Sequence, residues 1–132
     1  MFYICDDIGG YVCDEIKGIS SFPTFLLTAV MIVAPFFLGS LSLGAKDEGK
    51  KVLEIGLGGG SFNMALKKLK PEVNITVVEM DATVATIAYR WFDVRNSERH
   101  KVVVQDGITY LKTATSQGYH LKLSINPSFY VR

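Results

Sequence analysis

Lys50-Lys51-Val52-Leu53-Glu54-Ile55-Gly56-Leu57-Gly58-Gly59-Gly60-Ser61 is the stretch on which the fold turns. Val52 to Ile55 is a short β-favouring apolar run, broken by Glu54, and the glycines follow at once. From Ser61 to Leu69 the apolar residues Phe62, Ala65, Leu66 and Leu69 recur at helical spacing. The order predicted is therefore strand, tight turn, helix. Gly56, Gly58 and Gly60 carry no Cβ, so a ligand can approach the main chain there, and the turn can take positive φ values.

Downstream the same alternation repeats. Pro71 stops the first helix, and Val73 to Glu79 is β-branched almost throughout, as a parallel strand covered on both faces should be. Asp81 is placed to cap a second helix, in which Val84, Ile87, Ala88 and Trp91 make one apolar face. Lys101 to Gln105 is a third strand, and Asp106-Gly107 leads into a helix bearing Ile108 and Leu111. A β-α-β-α-β-α order with short loops predicts an α/β, Rossmann-like open parallel sheet with right-handed crossovers. In such a sheet the ligand crevice lies at the carboxyl ends of the strands, where Glu54, Glu79 and Asp106 fall. Glu79 stands 19 positions after Gly60, near the spacing at which an acidic residue accepts from both ribose hydroxyls of a nucleoside cofactor. Asp106 is placed to accept from an adenine amino group. A dinucleotide fingerprint, G-x-G-x-x-G, requires Gly or Ala where Ser61 stands, which disfavours an NAD-binding module.

Upstream, Gly18 to Ala45 contains no charged residue, and residues 22–43 are rich in Phe, Leu, Val, Ile and Met. Two readings compete there: a helix buried on the sheet, or a membrane anchor whose flanking Lys46, Lys50 and Lys51 would leave the glycine-rich part in the cytoplasm. Pro23, Pro35, Ser40 and Ser42 interrupt the run and favour the buried helix. Residues 1–17 show no clear period and receive no function. The chain of 132 residues is 48% apolar and carries a net charge of +1. That is enough for one small core, and the absence of a basic stripe argues against a nucleic-acid partner. Cys5 and Cys13 form no C-x-x-C, and His100 and His120 lie far from them in sequence, so no metal site is expected and the cysteines read as free thiols of a reducing compartment. A disulfide between them would need an oxidising surrounding.

Glu54-x-Gly56-x-Gly58-x-Gly60, Val77-Val78-Glu79-Met80-Asp81 and Gln105-Asp106-Gly107 with Leu111 resemble, in order, the motifs of class I S-adenosylmethionine (SAM)-dependent methyltransferases. The similarity, over Lys50 to Leu111, is to the spermidine-synthase-like branch, including the methyltransferase-like proteins that modify lysine or the N-terminus of translation elongation factor. It implies SAM as cofactor, with Glu54, Gly56, Gly58 and Gly60 around its methionine part, Glu79 at the ribose, and Asp106 with Gly107 at the adenine. The methyl acceptor, protein or small amine, and the catalytic residues stay unidentified. An aminopropyltransferase or a non-catalytic SAM-binding remnant are the other functions the resemblance admits. Where that family has a Tyr-Asp-containing fourth strand ending in an acidic residue, this chain has Tyr119, His120, Lys122 and Ile125. The alternation of Tyr119, Leu121, Leu123 and Ile125 suits an edge strand of an incomplete sheet. The expected division is a segment 1–21, an apolar helix 22–45, a SAM-binding half-domain 46–117 and a divergent tail 118–132. The chain thus reads as the cofactor half of a transferase, without turnover of its own.

Overall fold

β-branched and leucine side chains between Lys51 and Ile55 form the central strand of the molecule, and its neighbours assemble on either side. The computed structural model describes residues 2–6, 12–16, 24–114 and 118–124. In chain order these are β1 (Phe2–Asp6), β2 (Val12–Ile16), α1 (Thr24–Phe37), β3 (Lys51–Ile55), α2 (Ser61–Leu69), β4 (Asn74–Glu79), α3 (Ala82–Trp91), β5 (His100–Val104), α4 (Gly107–Ala114) and β6 (Leu121–Ser124). They make one sheet ordered β2-β1-β6-β3-β4-β5. β6, β3, β4 and β5 run parallel, and β1 and β2 add as an antiparallel hairpin on β6.

The open parallel sheet is as the alternation predicts, with two differences at its far side. β6 is an inner strand, bonded to β3 on one side and to β1 on the other, rather than an edge. The reason lies in residues 2–6 and 12–16, for which the sequence reading assigned no structure. They supply the pairing that the half-sheet lacks. Ile125 and the rest of the divergent tail lie outside the described residues, as do Phe22 and Pro23.

The sheet buries both faces unequally. On one, Val52, Ile75 and Val77 pack with Phe62 and Leu66 of α2, Ala85 and Ala88 of α3, and Met31 of α1. On the other, Leu53, Ile55 and Val78 meet Ala114, Tyr119, Tyr110 and Leu111. The buried side of α3 is the Ala85–Ala88 side. Trp91, expected there, is 77% exposed, because small alanines let the helix lie close to β4 and β5 and turn the larger rings outward. Leu69 is likewise exposed at the end of α2.

α1 is a helix of 14 residues, and among the described residues no helix is long and apolar enough to cross a membrane. The anchor reading of 22–43 is therefore corrected. A bilayer core needs about 20 apolar residues in helical form, whereas α1 gives way to a turn after Phe37 and packs through Met31, 4% exposed, against the core. The connection from α1 to β3 is fixed by a buried ion cluster. Asp47, 3% exposed, binds Lys70 Nζ at 2.8 Å and Lys50 Nζ at 3.0 Å, and accepts from the Ser42 amide. Lys70 also donates to the Ala45 carbonyl, and Glu72 accepts from the Asp47 amide.

Candidate functional site

The glycine turn leaves β3 through three left-handed residues, Gly56 at φ 96°, Gly58 at φ 52° and Gly60 at φ 74°. Two of them serve different needs. A Cβ on Gly58 would meet nothing within 4 Å, so the space over it is open to a ligand. A Cβ on Gly60 would lie 2.5 Å from Val94 Cγ2. Gly60 is therefore required by the protein's own packing, and it also begins α2, where no side chain caps the helix. The first N–H groups of such a helix favour an acceptor or anion in front of them.

Glu79 ends β4 beside this turn. Its Oε2 accepts from the Leu57 amide at 2.8 Å and its Oε1 from the Asp81 amide at 2.9 Å. Each oxygen keeps a further acceptor position. The carboxylate is thus held rigidly by two backbone bonds while still able to receive donors from outside. Asp81 caps α3, accepting from Thr83 N at 2.7 Å, as its place in the sequence predicts. Asp106 follows β5, next to Glu79 through the bond from Gln105 N to the Glu79 carbonyl. Its Oδ2 caps α4, accepting from Thr109 N and Thr109 Oγ1. The Thr109 hydroxyl and amide bonds hold its carboxyl below the usual carboxylate range. Gly107 is buried at the start of α4.

Glu54 departs from the expectation that all three acids share an open rim. It is 0% exposed, on the α2 side of β3 beneath the turn. Neither carboxylate oxygen has a hydrogen-bond partner. Burial pushes its carboxyl well above the ordinary range; Asn63 opposes that rise and Glu79 adds to it. Sequence reasoning missed Asn63 and His100, both 0% exposed, which lie behind Glu54. The signal available was a polar residue on each apolar face: Asn63 beside Phe62 in α2, and His100 at the head of a valine-rich strand. A cavity of about 310 Å³ opens at the other end of the sheet, among Lys51, Asn74, Arg99, Lys101 and Tyr110, away from these acids.

A family model, the spermine/spermidine synthase domain, matches residues 37–124, two thirds of the chain. The eEF1A lysine and N-terminal methyltransferase of Danio rerio is 34% identical over 89 residues, covering 67% of this chain and 13% of that protein. The polyamine aminopropyltransferase of Vibrio vulnificus is 40% identical over 81 residues, covering 61% of this chain and 26% of that protein. Human methyltransferase-like protein 13, solved in complex with SAH, is 27% identical with a TM-score of 0.50, over 72% of this chain and 40% of that one. This chain thus spans a small part of the curated relatives it matches.

Proposed function

The chain belongs to the spermine/spermidine synthase domain family, and we propose that it is the SAM-binding part of a methyltransferase acting on a protein amine. The observation that carries this reading is the juxtaposition of open space over Gly58 with a backbone-held carboxylate, Glu79, at the neighbouring strand end. The residues fit the cofactor. Gly56 and Gly58 would border its methionine part, the start of α2 its carboxylate, Glu79 its ribose diol, and Asp106 with Gly107 its adenine. Glu54, with both oxygens orphaned under the turn, would set the charge beneath the amino-acid portion. Gly60 serves the site indirectly, by letting α2 start against Val94.

When bound, SAM supplies a methyl group on a sulfonium, an electrophile that needs no metal. The protein's share is to hold that methyl in line with the acceptor, since positioning gives such transfers much of their rate. Glu79 contributes twice, because it fixes the turn through Leu57 and offers acceptors to the diol. A protein acceptor is the substrate class favoured by the similarity to eEF1A methyltransferases. The same reading implies a cytoplasmic location for the chain.

A second reading, aminopropyl transfer to a polyamine, is favoured by the Vibrio vulnificus relative. Calorimetry with SAM, SAH and NAD tests the first reading. SAM and SAH are expected to bind and NAD to be ignored; NAD bound with SAM ignored would overturn it. Transfer of an aminopropyl group rather than a methyl group, by a protein carrying this domain, would select the second.

A further inference from the structure

Glu54, Asn63 and His100 are all fully buried, on β3, on α2 and at the first position of β5, and the cofactor reading uses only Glu54. Asn63 stands between the other two. Its Oδ1 lies 3.0 Å from His100 Nε2, and His100 Nδ1 lies 3.1 Å from the Arg95 carbonyl oxygen. Both ring nitrogens therefore face oxygens, which only a doubly protonated imidazolium satisfies. Asn63 Nδ2 and both Glu54 oxygens meanwhile have no hydrogen-bond partner, although Asn63 lies near enough to favour charge on Glu54.

A half-turn of the Asn63 amide changes this account completely. With Nδ2 towards His100 and Oδ1 towards Glu54, a neutral imidazole donates from Nδ1 to Arg95 and accepts at Nε2 from Asn63. A protonated Glu54 then donates to Asn63 Oδ1. Every link runs from donor to acceptor, with no charge in the core. Burial favours this neutral form at both ends: it raises the Glu54 carboxyl and, with Lys67 on α2, lowers His100. Glu79, from the end of β4, also opposes a charge on Glu54, whereas the Arg95 carbonyl favours one on His100.

We infer that Asn63 and His100 are positioning residues for Glu54, and that the three side chains switch together between a neutral arrangement and a charge-separated one by a half-turn of the Asn63 amide. In the switch an O–H bond breaks at Glu54 and an N–H bond forms at His100 Nε2. The proton count of the buried unit is unchanged. The charge-separated form has Asn63 Nδ2 donating to the Glu54 carboxylate, and His100 donating from both nitrogens to Asn63 Oδ1 and Arg95. A cation over the glycine turn selects it, because the new negative charge lies beneath that turn. This selection rests on the proposed cofactor reading, the ammonium of SAM or SAH being the cation.

Ring-nitrogen NMR of the full chain, with His120 distinguished by a His120→Gln variant, tests the switch. In the free protein His100 is expected in one tautomer, protonated at Nδ1 only, from about pH 6 to 8. A doubly protonated ring, an Nε2 tautomer or titration like a solvated histidine in the free chain would overturn the inference, whether or not SAH binds. With SAH saturating, both nitrogens should carry protons; a ring signature unchanged by bound SAH would also overturn it. Asn63→Leu should abolish the response and weaken SAH about tenfold, the loss of one hydrogen bond to a charged group. Should that variant fail to fold, Glu54→Gln supplies the same readout, with His100 fixed as the Nδ1 tautomer in saturating SAH. Absence of any SAH binding would count against the cofactor reading alone, leaving the free-chain tautomer to decide the switch.

Discussion

Gly58 and Gly60 are two positions apart and both have positive φ, yet their substitutions should separate. Gly60→Ala drives a methyl into Val94 on top of the strain of a side chain at positive φ, so it is expected to lower the melting temperature sharply; Gly58→Val meets no neighbour, carries the backbone strain alone and fills the open space over the turn. Thermal melts and SAH calorimetry on both variants check this; a folded Gly58→Val variant that bound SAH as tightly as the parent chain would show that the turn has no ligand side. Glu79→Ala should weaken SAM by about 1.5–3 kcal/mol, the range for bonds to a charged group. Asp81→Ala removes only the cap of α3 and should lower the melting temperature by roughly 5 °C with SAM affinity kept. The sequence made the identity of these acids legible, because spacing from the glycines reports which strand end a residue occupies. It could not report what the side chains already hold. Glu79 and Asp106 each bind backbone amides, and Glu54 lies under the turn instead of beside it. Burial of that kind depends on which helix covers the strand, which no local pattern encodes.

The connection between α1 and β3 shows a charged element used as a clamp. Burial works against the charge of Asp47, but hydrogen bonds from Lys70, the Ser42 amide and Lys50 outweigh it and hold the carboxyl below the usual range. A depressed carboxyl contributes stability that is present above its unfolded value, about 3.9, and is lost as pH falls through the lower folded value. Acid melts of the intact chain should therefore show a loss in that window that Asp47→Asn lacks. Asp47→Ala strands Lys70, 6% exposed, without its closest carboxylate. A drop of roughly 10 °C or more in melting temperature is expected; a drop under a few degrees would mean that water replaces the carboxylate. Nothing local in the sequence distinguishes an inward-pointing Lys70 from Lys67 or Lys68. The elements from β3 to α4 were legible within a residue or so, because the hydrophobic period that specifies them is local, whereas β1 and β2 were not read at all and the helix expected over 22–45 ends at Phe37. Of the face expected on α3 only Ala88 is buried; Ile87 and Trp91 are exposed and Ala85 packs inward instead, closeness of packing outweighing apolar size.

Taken whole, the sheet is completed by the part of the chain in which the sequence showed least. Gly9-Gly10 between two short β-favouring runs was a hairpin signal, weak because such runs cannot tell what they will pair with. A chain beginning at Lys46 would lose β1, β2 and α1 together, exposing the edge of β6 and the Met31 contact. It is expected to aggregate in size-exclusion chromatography, and a monodisperse monomer would show that neither cover is needed. The pairing of Tyr3 with Ser124 has a further consequence, in time rather than in space. β1 is synthesised first, yet its partner β6 comes last of the described strands, and emergence of the intervening chain takes several seconds or more at roughly 5–20 residues per second. Docking β1 on β6 joins the strands farthest apart in the described chain, so it is expected to be the slow step of folding. Pulsed hydrogen exchange during refolding should find the β3–β4–β5 amides protected early and those of β1 protected last.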